Sequence, residues 1–143
     1  MRGMPAVGFT GTQRGLTPPQ RARLAYVLQS LAARGFRTLH HGDCIGADAE
    51  AHALAVQVGM GVVIHPPENA SKRAFCTGDE CHPTKPYLER NHDIVDASSL
   101  LVACPGDMVE QLRSGTWATM RYARKHTKRV MVLFPDGTFE VRQ

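Results

Sequence analysis

The chain has 143 residues, 43% of them apolar and 21% charged, with a formal net charge of +4. That length suits one domain with a real core. The composition is that of a folded rather than a disordered chain, and no apolar run is long enough to span a bilayer. The basic excess is spread along the sequence, with a small cluster at Arg121, Arg124, Lys125, Lys128 and Arg129. It is compatible with phosphate ligands or nucleic acid and demands neither. The opening Met1-Arg2-Gly3-Met4-Pro5 lacks the apolar core of a signal peptide, so a cytoplasmic location is expected.

Ala6-Val7-Gly8-Phe9 reads as a short buried strand running into Thr10-Gly11-Thr12-Gln13-Arg14-Gly15. Two glycines, two threonines and an arginine at a strand's C-terminal end point to a ligand loop, with Gly11, Thr12 and Arg14 as its contacts. The spacing is not the dinucleotide fingerprint. Thr17-Pro18-Pro19-Gln20 is a helix start with a capping box and proline in the first turn. Leu24, Val27, Leu28 and Leu31 follow at helical spacing and form the core face, and Gly35 ends the helix.

Phe36 to His40 is a second strand. Its end, His41-Gly42-Asp43-Cys44-Ile45-Gly46-Ala47-Asp48, is a second informative turn. Gly42 and Gly46 allow tight backbone geometry. Asp43 and Asp48 are candidates for a ribose hydroxyl or for proton transfer, and Asp48 alternatively caps the next helix. That helix buries Ala47, Ala51, Leu54, Ala55 and Val58. Gly61 to His65 is a third strand, continuously apolar as in a parallel sheet. Residues 68–83 form the longest irregular stretch, read either as a lid or as a disordered excursion. Within it Cys76 and Cys81, with His82 next, are either part of a zinc site or a loop with free thiols. No second half of such a site is evident, so no metal is expected. Cys44 and Cys104 read as small apolar residues at strand ends.

Thr84-Lys85-Pro86 starts a helix carrying Tyr87, Leu88, Asn91, Ile94 and Val95. In it Arg90 is either an exposed charge or a phosphate clamp, with Asn91 beside it. Ser99 to Cys104 is the fourth strand. After Pro105-Gly106 comes Arg113-Ser114-Gly115-Thr116-Trp117-Ala118-Thr119, the opening of the last helix. A helix start exposes unpaired N–H groups and the positive end of the dipole. Ser114, Gly115 and Thr116 therefore read as an anion pocket, with an ordinary Ser N-cap as the alternative. Arg129 to Phe134 is a fifth strand, and the tail Phe139 to Gln143 forms a short extra edge strand. Five strands alternating with four helices predict an α/β, Rossmann-like, doubly wound and mainly parallel five-stranded sheet with helices on both faces, in a single domain. Ligands in such sheets bind beyond the strand C-termini at the switch point.

Four pieces resemble the SLOG superfamily, the Rossmann-like group that includes the DNA-processing protein DprA and the LOG phosphoribohydrolases, with small YspA- and YpsA-like members nearest in pattern. They are Gly8 to Arg14, His41 to Asp48 with Ala51-His52, Glu89-Arg90-Asn91 with Ile94-Val95, and Ser114 to Trp117. The resemblance implies a nucleotide or nucleotide-derived ligand at the sheet's C-terminal edge, and often a homodimer. LOG enzymes carry P-G-G-x-G-T-x-x-E, whose glutamate is catalytic. Ser114-Gly115-Thr116 stands for the later part of that motif, Thr119 occupies the glutamate's place, and Arg90 matches an arginine ahead of it. Without that carboxylate, the catalytic candidates are Asp48, Arg90 and Glu89. Three readings follow: a nucleotide-binding or sensing domain, a nucleoside monophosphate N-glycosidase, and a DprA-like binder of single-stranded DNA. The single Trp and the lack of a row of aromatics count against the last. No cofactor and no membrane partner are expected.

Overall fold

A computed structural model describes residues 5–143; the opening Met1-Arg2-Gly3-Met4 lies outside the described residues, and with it the reading of that end. The elements are β1 (Ala6–Gly11), α1 (Pro18–Ala33), β2 (Thr38–His41), α2 (Ala47–Gln57), β3 (Gly61–Ile64), a 3-10 turn (Ala70–Lys72), β4 (Glu80–Cys81), α3 (Tyr87–Asp96), β5 (Leu100–Cys104), α4 (Gly115–Lys125), β6 (Arg129–Leu133) and β7 (Phe139–Arg142). They build one sheet of order β4-β3-β2-β1-β5-β6-β7. Every pairing is parallel except β6 with β7. The α/β, mainly parallel expectation holds, but the sheet has seven strands rather than five. β7 is the edge strand read from the tail. β4 has no apolar pattern to betray it: both its residues are exposed, and it exists only because Glu80 and Cys81 pair with Val63 and Ile64.

Side-chain alternation along the strands divides the interior in two. Val7, Phe9, Leu39, Ile64, Val102 and Cys104 face the core of α1 and α2, where Leu24, Leu28 and Leu31 meet the small residues Ala47, Ala51 and Ala55. Leu101, Ala103, Val130 and Val132 face the other way, onto Val95 of α3 and Trp117, Met120 and Ala123 of α4. Local chemistry sets the helix ends. Thr17 accepts from the Gln20 N–H at 3.2 Å, and Gln20 accepts from the Thr17 N–H at 3.3 Å. The Gln20 amide then reaches inward, donating to Pro105 O at 2.9 Å and Leu133 O at 2.8 Å, which fastens the ends of β5 and β6 to α1. Removing the fully buried Leu28 side chain opens a cavity under this helix. Leu28→Ala is expected to cost about 3 kcal/mol, read as a lower urea midpoint at unchanged m-value.

Histidines crowd the C-terminal ends of β2 and β3. His41 Nδ1 accepts from the Asp43 N–H at 2.9 Å, so in the neutral ring the proton sits on Nε2, which donates to His52 Nδ1 at 2.9 Å. His40 Nδ1 lies 2.8 Å from His65 Nε2, and His65 stacks on His82 with ring centroids 4.4 Å apart. Burial pushes the His41 pKa from 6.5 down to about 3, helped by His52. Burial likewise pushes His65 down to about 3, helped by His40. The unfolded chain binds these two protons near pH 6.5 and the folded chain refuses them. Their stability is therefore full above pH 6.5 and falls as the pH drops toward 3. Asp48 acts in the opposite sense, because burial raises its carboxyl from 3.8 to about 6 and the folded chain holds a proton there. Two histidines outweigh one aspartate, so urea stability should fall between pH 6.5 and 4.5 with a net slope on the order of 1 kcal/mol per pH unit. The His41→Gln chain should show a shallower fall; an equal slope in the two chains would contradict this account.

Candidate functional site

From β1 the chain runs outward on one side to β2, β3 and β4, then returns to β5 on the other side. The loops after β1 and β5 therefore diverge and leave a crevice at the C-terminal edge, the place where such sheets take ligands. A cleft of about 270 Å³ occupies it, lined by Gly11, Thr12, Arg14, Ser114, Gly115 and Thr116 together with Gln13, Tyr87, Gly106 and Asp107. The first six are residues singled out in the sequence, brought together from the two ends of the chain. The other four were not. Gln13 lies inside the first turn, and Pro105-Gly106-Asp107 follows a strand end as a turn must, so both carried a signal. Tyr87 carried none, since its position depends on how α3 meets α4.

The cleft wall is polar and cationic at one corner. Ser114 caps α4 and accepts from the Trp117 N–H at 3.4 Å. The N–H groups of Gly115 and Thr116, in the first turn, make no hydrogen bond among the described residues. Gly115 lies under Tyr87: a Cβ there would sit 2.6 Å from the phenolic oxygen. Arg14 is exposed, with Nε 3.4 Å from Thr12 Oγ1 and Nη2 3.5 Å from Asp107. This pair is loose and solvated, so it contributes little to stability and leaves the guanidinium available. Asp107 is the one carboxylate on the cleft wall.

The second turn does not face this cleft. It braces the first from behind: Gly46, with φ +91°, lies against the backbone of Gln13, and the Ala47 N–H donates to Thr12 O at 3.0 Å. Gly42, Asp43 and Asp48 belong to the same buried layer. Asp43 is fully buried in the left-handed region at φ +54°. Its carboxylate accepts from Arg73 Nε at 2.9 Å and from the Cys76 N–H at 2.9 Å. Both oxygens are engaged in pinning residues 73–76, and no ribose hydroxyl has access to them. The 68–83 stretch is thereby docked on the second turn; the Ile45 N–H also donates to Lys72 O at 2.9 Å.

Arg90 is neither an exposed charge nor a clamp on the cleft wall. It is 2% exposed. It donates to the carbonyl of Gly42, to His65 O at 3.1 Å and to Asn91 Oδ1 at 2.8 Å, and its guanidinium carbon sits 4.6 Å from the centre of the Tyr87 ring. Asn91 is buried beside it, and its Nδ2 finds no partner among the described residues. Asp48, also buried, accepts from the Cys44 N–H at 3.1 Å. Glu89 is exposed on α3 and does not line the cleft. The position of the LOG glutamate holds Thr119, whose hydroxyl donates back to Gly115 O at 2.8 Å.

Cys76 sits with His41 and His52 rather than with Cys81 and His82, and the three candidate ligand atoms lie within 4.8 Å of one another. The arrangement does not suit a cation. The Asp43 N–H occupies His41 Nδ1, so Nε2 holds a proton where a metal would need its lone pair. Burial also pushes the Cys76 thiol up to about 11, with Asp43 adding to the effect, which disfavours the thiolate ligand. No helix of the described residues is long and apolar enough to cross a membrane.

No protein-family model matches the chain, and no curated protein matches it. Solved structures do. The molybdenum cofactor binding protein of Rippkaea orientalis superposes with a TM-score of 0.75 at 21% identity, over 94% of this chain and 78% of its own. The Moco carrier protein of Chlamydomonas reinhardtii gives 0.69 at 21% identity, over 91% and 76%. DNA processing protein A (DprA) of Streptococcus pneumoniae gives 0.68 at 17% identity, over 90% of this chain and 50% of that one. At these identities the likeness is one of fold, a Rossmann-like, mainly parallel α/β sheet.

Proposed function

We propose that the chain binds a nucleotide or nucleotide-derived ligand in the β1–β5 cleft, with its phosphate on the first turn of α4. The observation that supports this most is the set of groups around one small space. The unpaired amides of Gly115 and Thr116, the side chains of Thr12 and Ser114, and the exposed Arg14 belong to residues that line the same cleft, while Thr116 itself is largely buried. Donors and a cation with one nearby carboxylate are the chemistry that recognises a phosphate dianion. Two of the similar structures are described as binding or carrying the molybdenum cofactor, which agrees with a binding role.

The N-glycosidase reading draws no comparable support. Of its proposed groups, Asp48 and Arg90 are buried behind the cleft and Glu89 is exposed away from it. The single-stranded DNA reading rests on the likeness to DprA, without a row of exposed aromatic residues on which bases would stack. A cytoplasmic location and a homodimer complete the proposal, to be checked by fractionation and by sedimentation of the purified chain.

Calorimetric titration with AMP, GMP, ribose 5-phosphate and inorganic phosphate tests the central reading. Gly115→Val places a side chain against Tyr87 and over the free amides, and should weaken nucleotide binding at least roughly tenfold, the loss expected for one charge-assisted hydrogen bond. Arg14→Ala should weaken it and flatten its salt dependence, whereas Asp107→Asn, which removes the negative charge beside Arg14, should tighten it several-fold. No heat with any of the four ligands, at millimolar concentration, overturns the proposal.

A further inference from the structure

The two edges of the sheet are finished differently. An edge strand carries a row of unpaired N–H and C=O groups, which proteins blunt by keeping the strand short or by placing proline, lysine or a bulge in it. β4 is blunted: it has two residues, and Pro83 follows it closely. β7 is not. Phe139, Glu140, Val141 and Arg142 pair residue for residue with Leu133, Val132, Met131 and Val130, without a bulge, and include neither proline nor lysine. Among the described residues no strand lies on the outer side of β7. Its apolar residues stay open, with Phe139 49% and Val141 45% exposed.

The β6–β7 register fixes which groups face outward. The Phe134 N–H donates to Thr138 O at 2.9 Å. Hydrogen-bonded pairs alternate along an antiparallel ladder, so Val132 with Glu140 and Val130 with Arg142 are the bonded pairs. The N–H and C=O of Phe139 and Val141 therefore point away from β6, into the open. Side chains alternate as well. Phe139 lies on the α1 side, where it lines an apolar groove with Tyr26, Val27, Leu31 and Met131, and Val141 shares that side. Glu140 and Arg142 share the other, 3.0 Å apart, with the Arg142 guanidinium 5.8 Å from the centre of the Trp117 ring.

This edge is complementary to itself. A second β7, laid antiparallel about a two-fold axis through Val141, sets Val141 against its own copy as the hydrogen-bonded pair that the outward groups require. The same register sets Glu140 of each copy directly opposite Arg142 of the other, in a non-bonded pair, where facing side chains stand closest. The apolar side chains of both copies then meet on the α1 side. We propose that β7 is the homodimer contact, joining two seven-stranded sheets into one continuous sheet across a two-fold axis at Val141. This rests on the homodimer reading above and names its surface. The contact uses the same patch on both copies, so it closes at two.

Sedimentation equilibrium of the full chain tests it with two kinds of variant. Val141→Pro removes an N–H that the β6 ladder does not use, at the kind of position where an edge strand accepts proline. With its fold checked by circular dichroism, its dimer dissociation constant should rise at least about tenfold, because the two hydrogen bonds exchanged at the axis are lost. Glu140→Arg and Arg142→Glu each set like charges opposite one another across the axis, so each alone should sediment as a monomer at concentrations where the parent chain is a dimer. An equimolar mixture of the two restores opposite charges at both positions and should recover the dimer. The mixing experiment decides by itself should Val141→Pro lose its fold. A parent dimer that a folded Val141→Pro leaves unchanged, or two reversals whose mixture behaves as each does alone, overturns the β7 contact while the homodimer stands on another surface. A parent chain that stays monomeric at high micromolar concentration removes the homodimer reading and this one together, and leaves the edge to a strand of another protein.

Discussion

The arrangement of the sheet's C-terminal edge depends on one buried guanidinium. Arg90 enters from the first turn of α3 and reaches the carbonyls of Gly42 and His65, which end β2 and its following residues and β3 and its following residues. A buried cation is costly unless its donors are satisfied. Here two carbonyls and Asn91 accept from it directly, and the Asp48 carboxyl lies in the same layer. The planar fork is what allows one side chain to hold two strand ends at once, a geometry an ammonium does not offer. Gly42 is part of the same fit, because a Cβ there would lie 2.6 Å from the Arg90 Nη1. With Arg90 fixed, the Tyr87 ring stacked over it is fixed too, and Tyr87 lines the cleft.

The cleft itself is made by close approach. Gly115 leaves the first amides of α4 uncovered, and Gly46 lets the first turn settle on the N-terminus of α2. Of the two helix starts that meet the sheet edge here, the amide of Ala47 is consumed by Thr12 O, while those of Gly115 and Thr116 stay unpaired. The free amides of this edge therefore belong to α4, where the anion site is proposed, and α2 supports the loop opposite them.

The same accounting bears on chemistry. A general acid or base must reach the atom it protonates. Asp48 is shielded behind the second turn, and Thr119 is turned back onto its own helix. The raised pKa of Asp48 is a consequence of burial in a structural layer, so a perturbed carboxyl is a poor guide to a reacting group in this fold.

The sequence by itself determined the elements and their layering. Periodicity in Leu24, Val27, Leu28 and Leu31, apolar runs such as Gly61 to Ile64, and the capping box at Thr17 are local signals, and each element appeared where they placed it. The turns at Gly11 to Arg14 and Ser114 to Thr116 were legible because strand ends and helix starts expose backbone groups whatever the rest of the chain does. Tertiary structure alone decided which turn lines the cleft, that Asp43 and Arg90 are buried ties, and that Tyr87 stands over Gly115 on the cleft wall. It also decided the two-residue β4. The reason is physical: a side chain's exposure depends on what packs over it, and Arg73 for Asp43, Gly42 for Arg90 and Val63 for Glu80 lie 17 to 48 residues away in sequence, beyond the reach of any local pattern.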